Sequence, residues 1–194
     1  MGVGTGKFSR AKRARWYEFW ELEEMTNLQF PPEIGAPGVD RRAARQYVGL
    51  RVITPFEGMF AHTDKLFKEL RQWVNAQGLA EQGPYFLRYH VIDMKGLMDV
   101  EAAFVVKSQQ AGDGRVKGGV LPAGRYAHLT YSRYALRGNQ ALSIWVQEKK
   151  LEVDKEITSK GEAFVCRYEA YLTDYRSEPR KTKWQVDLAF RLKD

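Results

Sequence analysis

The residues best suited to chemistry lie near the C-terminal end, in Arg167-Tyr-Glu-Ala-Tyr171, where a guanidinium, a carboxylate and a phenol alternate. If this run is a strand, Arg167, Glu169 and Tyr171 share one face, while Cys166, Tyr168 and Ala170 share the other. The second set is apolar and is expected beneath helices, which leaves Glu169 on an open face. A carboxylate half-buried among aromatic rings attracts cationic or polarised planar molecules, with contacts worth ~0.5–2 kcal/mol each. The same group could act as general base on a water while a tyrosine hydroxyl orients the substrate. Burial would raise its pKa in either role.

A second set of polar and aromatic residues is expected on the same open face. It comprises Phe86, Arg88, His90 and Glu101, with Tyr47 and Tyr126 as further candidates for the ligand-binding wall. His90 would be either a polar group across the cleft from Glu169 or a solvated strand histidine. An ordinary sheet surface laced with cross-strand ion pairs accounts for the same residues without any ligand. His62, His90 and His128 fall on different elements without ligand spacing, and Cys166 is the only cysteine. Neither a metal nor another cofactor is expected, nor a disulfide framework.

The elements that position these groups repeat. Tyr47-Val-Gly-Leu-Arg-Val52 returns as Tyr126-Ala-His-Leu-Thr-Tyr131, and Tyr85-Phe-Leu-Arg-Tyr-His90 as Phe164-Val-Cys-Arg-Tyr-Glu169, both 79 residues on. Val100-Glu-Ala-Ala-Phe-Val-Val106 returns as Val186-Asp-Leu-Ala-Phe-Arg-Leu192, 86 residues on. This spacing makes His90 the counterpart of Glu169. Periodicity predicts strands at 47–54, 85–92 and 100–106 around a helix at 60–77, then strands at 123–132, 164–174 and 183–192 around a helix at 139–152. Leu66, Phe67, Leu70, Trp73 and Val74 form the stripe of the first helix, and Gly78 can close it; Asn139 is the candidate N-cap of the second. Residues 107–119 read as a polar crossing between copies. The fold class is α+β: duplicated β-α-β-β units form a curved antiparallel sheet with helices on one face and a ligand cleft on the other.

Residues 1–45 read as an N-terminal arm, with an aromatic helix at 8–26 and a Pro/Gly-rich linker at 30–40. The arm's Trp16, Phe19 and Trp20 could cover the cleft, meet a second subunit or extend the core. The domain proper is 46–194, with repeats 46–106 and 120–194. The net charge of +7 includes a basic cluster at 7–15, whose short length fits a solvated end, so nucleic acid is not an expected partner. No apolar run has the length of a membrane span and no secretory signal opens the chain. With a lone cysteine, this reads as a soluble cytoplasmic protein, monomer or homodimer.

Leu121-Pro-Ala-Gly-Arg-Tyr126, a Trp-containing helix, Arg167-Tyr-Glu-Ala-Tyr171 and Val100-Glu-Ala-Ala-Phe104 occur in an order that resembles the gyrase-inhibitor-like (GyrI-like) small-molecule-binding domain over residues 46–194. The same module forms the effector-binding half of multidrug-sensing regulators. The resemblance implies a cleft between two β-α-β-β units and a carboxylate in the penultimate strand that binds hydrophobic, often cationic compounds. Glu169 matches that carboxylate, and Tyr126 and Tyr171 match aromatic positions around it. The N-terminal 45 residues hold at most one helix, too little for a helix-turn-helix, so a stand-alone binding protein is expected. Two alternatives come with the resemblance. One is a hydrolase opening the cyclopropane of cyclopropanoid DNA-alkylating compounds, with Glu169 as base and Tyr171 or Tyr126 as partner. The other is a protein inhibitor of gyrase type.

Overall fold

The computed structural model describes residues 32–79 and 83–194; the aromatic helix expected at 8–26 lies outside them. In chain order the elements begin with β1 (Gly38–Arg42), β2 (Arg45–Pro55), α1 (Met59–Ala76), β3 (Tyr85–Ile92) and β4 (Leu97–Val106). A small hairpin follows, β5 (Gly112–Asp113) and β6 (Val116–Leu121). Then come β7 (Gly124–Tyr131), α2 (Ala135–Glu148), β8 (Lys155–Thr158), β9 (Gly161–Phe164), β10 (Arg167–Tyr171) and β11 (Val186–Arg191). Two β-α-β-β units are therefore present, β2-α1-β3-β4 and β7-α2-β10-β11, as the repeats predict.

The sheet is antiparallel, with its main path ordered β1-β7-β11-β10-β3-β4-β2-β6-β5 and the β8–β9 hairpin paired to β3. Its two halves meet at β3 and β10, so the pseudo-twofold axis passes between these strands. Chain geometry forces the sheet to curl. β6 and β7 stand six strands apart, about 29 Å in a flat sheet, yet only Pro122 and Ala123 join them. Three Cα steps cover at most about 11 Å. The concave face is filled by its own side chains: Tyr47, Phe86, Leu121, Tyr126, Cys166 and Tyr168 are all buried in one cluster there.

Both helices lie on the convex face. α1 buries Leu66, Phe67, Leu70 and Val74 against Val48, Leu50, Leu87, Val100 and Phe104. It ends where Gly78 takes φ +67° and the Leu79 amide donates to the Val74 carbonyl, a left-handed closure that favours glycine. α2 begins four residues before the expected start, so Asn139 lies inside the helix rather than capping it. Residues 38–40, read from sequence as the end of the linker, instead belong to β1, which runs to Arg42 and pairs with β7. Within the expected crossing at 107–119, residues 112–113 and 116–119 enter the β5–β6 hairpin, and β6 pairs with β2. Both segments are polar and glycine-rich, as edge strands can be, and so carry no apolar alternation to betray them.

The repeat alignment needs one correction. Tyr47 pairs with Val105 and Tyr126 with Arg191, which agrees with offsets of 79 and 86. Arg88 pairs with Glu101, however, and Asp187, the counterpart of Glu101, pairs with Ala170. The structural counterpart of Arg88 is thus Ala170, 82 residues on, and that of Glu169 is Leu87 rather than His90. The motif match between these strands was three residues out of step. An odd slip sends every side chain to the opposite face.

Leu70 is fully buried between α1 and the sheet. Leu70→Ala is expected to destabilise the fold by about 2–5 kcal/mol, read as a lower urea midpoint at unchanged slope.

Candidate functional site

Register decides where the candidate residues go. At the centre of the sheet Glu169 stands opposite Leu87, and Tyr168 opposite Arg88. Leu87 belongs to the core under α1. Glu169, Arg167 and Tyr171 therefore face the helices, and Tyr168 and Cys166 face the concave side, the reverse of the expectation from alternation. Both faces of β10 are covered, so its polar and apolar sets gave no reliable direction. Of the nine candidates, these three stay together; Tyr47, Phe86, Arg88, His90, Glu101 and Tyr126 lie on the other face.

Glu169 is 5% exposed. Its Oε2 accepts from the Tyr89 hydroxyl at 3.1 Å and its Oε1 from Asn139 Nδ2 at 2.8 Å, and its charge acts on the neighbouring Tyr131 phenol. Asn139 reaches down from α2, which can approach because Gly138 packs on the Tyr131 ring; a Cβ there would sit 2.9 Å from it. Arg167 Nη2 donates to the Oδ1 of the same asparagine at 2.8 Å, so the amide links guanidinium to carboxylate. The guanidinium lies over Phe190 at 4.4 Å and Phe164 at 5.0 Å. Burial draws its pKa down, while Tyr89 and Glu169 pull the other way. Among the described residues no cation forms an ion pair with Glu169. Its direct partners are neutral donors.

Burial, reinforced by the charge of Glu169, pushes the phenols of Tyr89, Tyr131 and Tyr171 well above their ordinary value. Tyr171 is half-buried, wedged between Phe67 at 5.5 Å and Trp184 at 5.4 Å. It connects the carboxylate to an open groove of about 420 Å³, lined by Arg71, Tyr85, Tyr171, Tyr175 and Trp184. The loop between β10 and β11 makes one wall. Trp184 pins it by donating to the Glu178 carbonyl at 2.6 Å, and Lys181 pairs with Asp64 of α1. The Tyr85 phenol is pushed up to about 12, chiefly by burial. Sequence reasoning missed Tyr89, Tyr131, Asn139, Arg71, Tyr175 and Trp184. A correct face for β10 would have pointed to Tyr89 and Tyr131; nothing local marks the others.

On the concave face a separate polar cluster closes around Glu101 and Arg88, whose Nε alone of its guanidinium nitrogens is buried without a partner. Glu101, 6% exposed, accepts from Tyr47 Oη at 2.9 Å and sits 2.8 Å from His90 Nε2. Arg88 donates to Tyr47 Oη at 2.8 Å and to the Val120 and Val165 carbonyls. Those carbonyl bonds tie β3 across the curl of the sheet. Tyr126 is buried with its hydroxyl on the Pro122 carbonyl, and Phe86 is wholly enclosed. These six residues hold the curl and do not border the groove.

A duplicated curved sheet, with a buried carboxylate and an aromatic groove on its helix-bearing face, has the make of a small-molecule-binding module. The chain belongs to the GyrI-like family: the model of the GyrI-like small molecule binding domain matches residues 39–193. Among solved structures it is similar to the C-terminal domain of EcmrR, at 18% identity and TM-score 0.60, covering 82% of this chain and 98% of that one. It also resembles EcmrR in its complex with DNA, at 17% identity and TM-score 0.63, covering 89% of this chain; it spans 62% of that longer chain. SAV2435 bound to tetraphenylphosphonium matches at 11% identity and TM-score 0.52, over 81% and 94% of the two chains. A hydrolase from Listeria innocua matches at 10% identity and TM-score 0.52, over 88% and 98%. No curated protein matches. Among the described residues, no helix is long and apolar enough to cross a membrane.

The tyrosine ring has a pH signature. Each phenol holds its proton more tightly folded than unfolded, so the stability it confers is complete below about pH 10 and is lost as pH rises further. Tyr89→Phe, which removes the hydroxyl that donates to Glu169, is expected to cost about 1–3 kcal/mol at neutral pH and to flatten the alkaline fall, both read from denaturation midpoints between pH 7 and 11.

Proposed function

We propose that this protein binds hydrophobic, planar or cationic small molecules on its helix-bearing face, with Glu169 selecting positive charge. One observation carries the reading: Glu169 is a buried carboxylate held by neutral donors, beside an aromatic groove. A buried charge without a counter-ion is costly, and a ligand cation adjoining it would offset part of that cost. Tyr171, Tyr85, Tyr175 and Trp184 supply ring faces for a flat or greasy body. Tyr171 stands between groove and carboxylate, so its side chain must shift for a cation to reach Glu169. Tetraphenylphosphonium, the compound bound to SAV2435, is a hydrophobic cation of the kind this site would take. The chain would act in the cytoplasm with a small molecule, rather than a nucleic acid or membrane, as its partner.

Hydrolysis is the second reading. A carboxylate hydrogen-bonded to a tyrosine hydroxyl is also the equipment for general-base attack by water on an electrophile such as a cyclopropanoid ring, and one structural relative is a hydrolase.

Glu169→Gln keeps the shape of the side chain and its capacity to accept from Tyr89. It is expected to weaken tetraphenylphosphonium binding by about tenfold or more, the worth of one partly buried charge contact, in a calorimetric titration. Unchanged affinity would overturn the assignment. Incubation with a cyclopropanoid compound followed by mass spectrometry separates the two readings: a hydrated, ring-opened product made by wild type and lost in Glu169→Gln indicates hydrolysis.

A further inference from the structure

Arg71 is the groove residue that a plain cation site does not explain. It projects from α1 into the groove, with its guanidinium 4.1 Å from the centre of the Tyr175 ring and 5.5 Å from that of Tyr85. The nearby acids are engaged elsewhere. Asp174 is paired with Arg176, Glu178 with Arg180, Asp64 with Lys181, and Glu69 with Arg115. Among the described residues Arg71 has no carboxylate partner, and its Nε is buried without an acceptor. Stacking on aromatic faces uses the plane of a guanidinium and leaves its terminal N–H groups without a carboxylate. Those groups form a fork of donors matched to the two oxygens of a carboxylate.

We propose that the outer part of the groove is an anion-accepting subsite built on Arg71, and that the ligand carries a carboxylate on its aromatic body. The proposal rests on the cation-binding reading above and extends it. Recognition becomes two-ended, because Arg71 repels a positive group from the groove mouth and so directs the ligand's cationic end inward, toward Tyr171 and Glu169. The carboxylate then meets the terminal N–H groups. A planar zwitterion satisfies both ends at once, whereas a simple lipophilic cation leaves Arg71 without a carboxylate.

Rhodamine 110 and rhodamine 123 test this directly, since they share one cationic ring system and differ only in a free carboxylate against its methyl ester. Affinities for the full chain are read by fluorescence anisotropy. Wild type is expected to bind the acid about tenfold more tightly than the ester, the scale of one charge-assisted bidentate contact. Arg71→Gln should erase that advantage without weakening ester binding, since it removes a like charge from the groove mouth, and retained ester binding also shows that the groove has kept its shape. Arg71→Lys, with the charge but not the fork, should retain part of it. If the ester binds wild type and the acid gains nothing, or if the advantage survives Arg71→Gln, the subsite is refuted while the cation site stands. If neither dye binds, both proposals fall. Should Arg71→Gln lose the ester as well, Arg71→Lys decides: a retained advantage supports the subsite, and a lost one overturns it.

Discussion

A carboxylate withdrawn from water costs several kcal/mol unless hydrogen bonds or opposite charge replace its hydration. The inner half of this protein is arranged around that penalty at Glu169. Tyr89 comes from the neighbouring strand, across the line where the two halves of the sheet meet, and Asn139 from the second helix. Each donor is neutral, so the negative charge is solvated without being cancelled. Gly138, packed on the Tyr131 ring, lets α2 bring Asn139 within reach. Arg167 shares that asparagine and spends its own charge on aromatic faces. The result is a buried carboxylate held by neutral donors, the arrangement on which the proposed attraction for cations rests.

The curl of the sheet separates this chemistry from the second polar cluster. With only two residues between β6 and β7, the concave side has to fill itself, and Tyr47, Phe86, Tyr126 and Tyr168 do so. Arg88 and Glu101 are as buried and as polar as parts of the Glu169 site, yet they close a network among themselves and span the curve. The convex side differs because the two helices leave the centre of the sheet between them. There the β10–β11 loop, tied down by Trp184 and Lys181, shapes a groove that opens to solvent.

Much of this was legible in the sequence. The β-α-β-β duplication, the stripe of α1 and its closure at Gly78 all follow from periodicity and motif. The direction in which Glu169 points does not. Phe164-Val-Cys-Arg-Tyr resembles Tyr85-Phe-Leu-Arg-Tyr in letters, but the hairpin registers match the strands three residues away. Because both faces of β10 are buried, Cys166 and Tyr168 are no more interior than Glu169, and hydrophobicity could not arbitrate. Asn139 read as a helix cap because its type favours that position, whereas its amide was needed by a carboxylate thirty residues on. Arg71, Tyr175 and Trp184 come from a helix and a loop that share no local pattern, and only tertiary packing brings them together.

The account turns on which face of the sheet receives the ligand, and a crystal structure of the protein grown with tetraphenylphosphonium addresses that most directly. The cation should appear on the helix-bearing face, against Tyr171 and Trp184, with its phosphorus drawn toward Glu169 and the Tyr171 ring displaced. Density on the concave face beside Glu101 and His90, with the Glu169 cluster undisturbed, would contradict it.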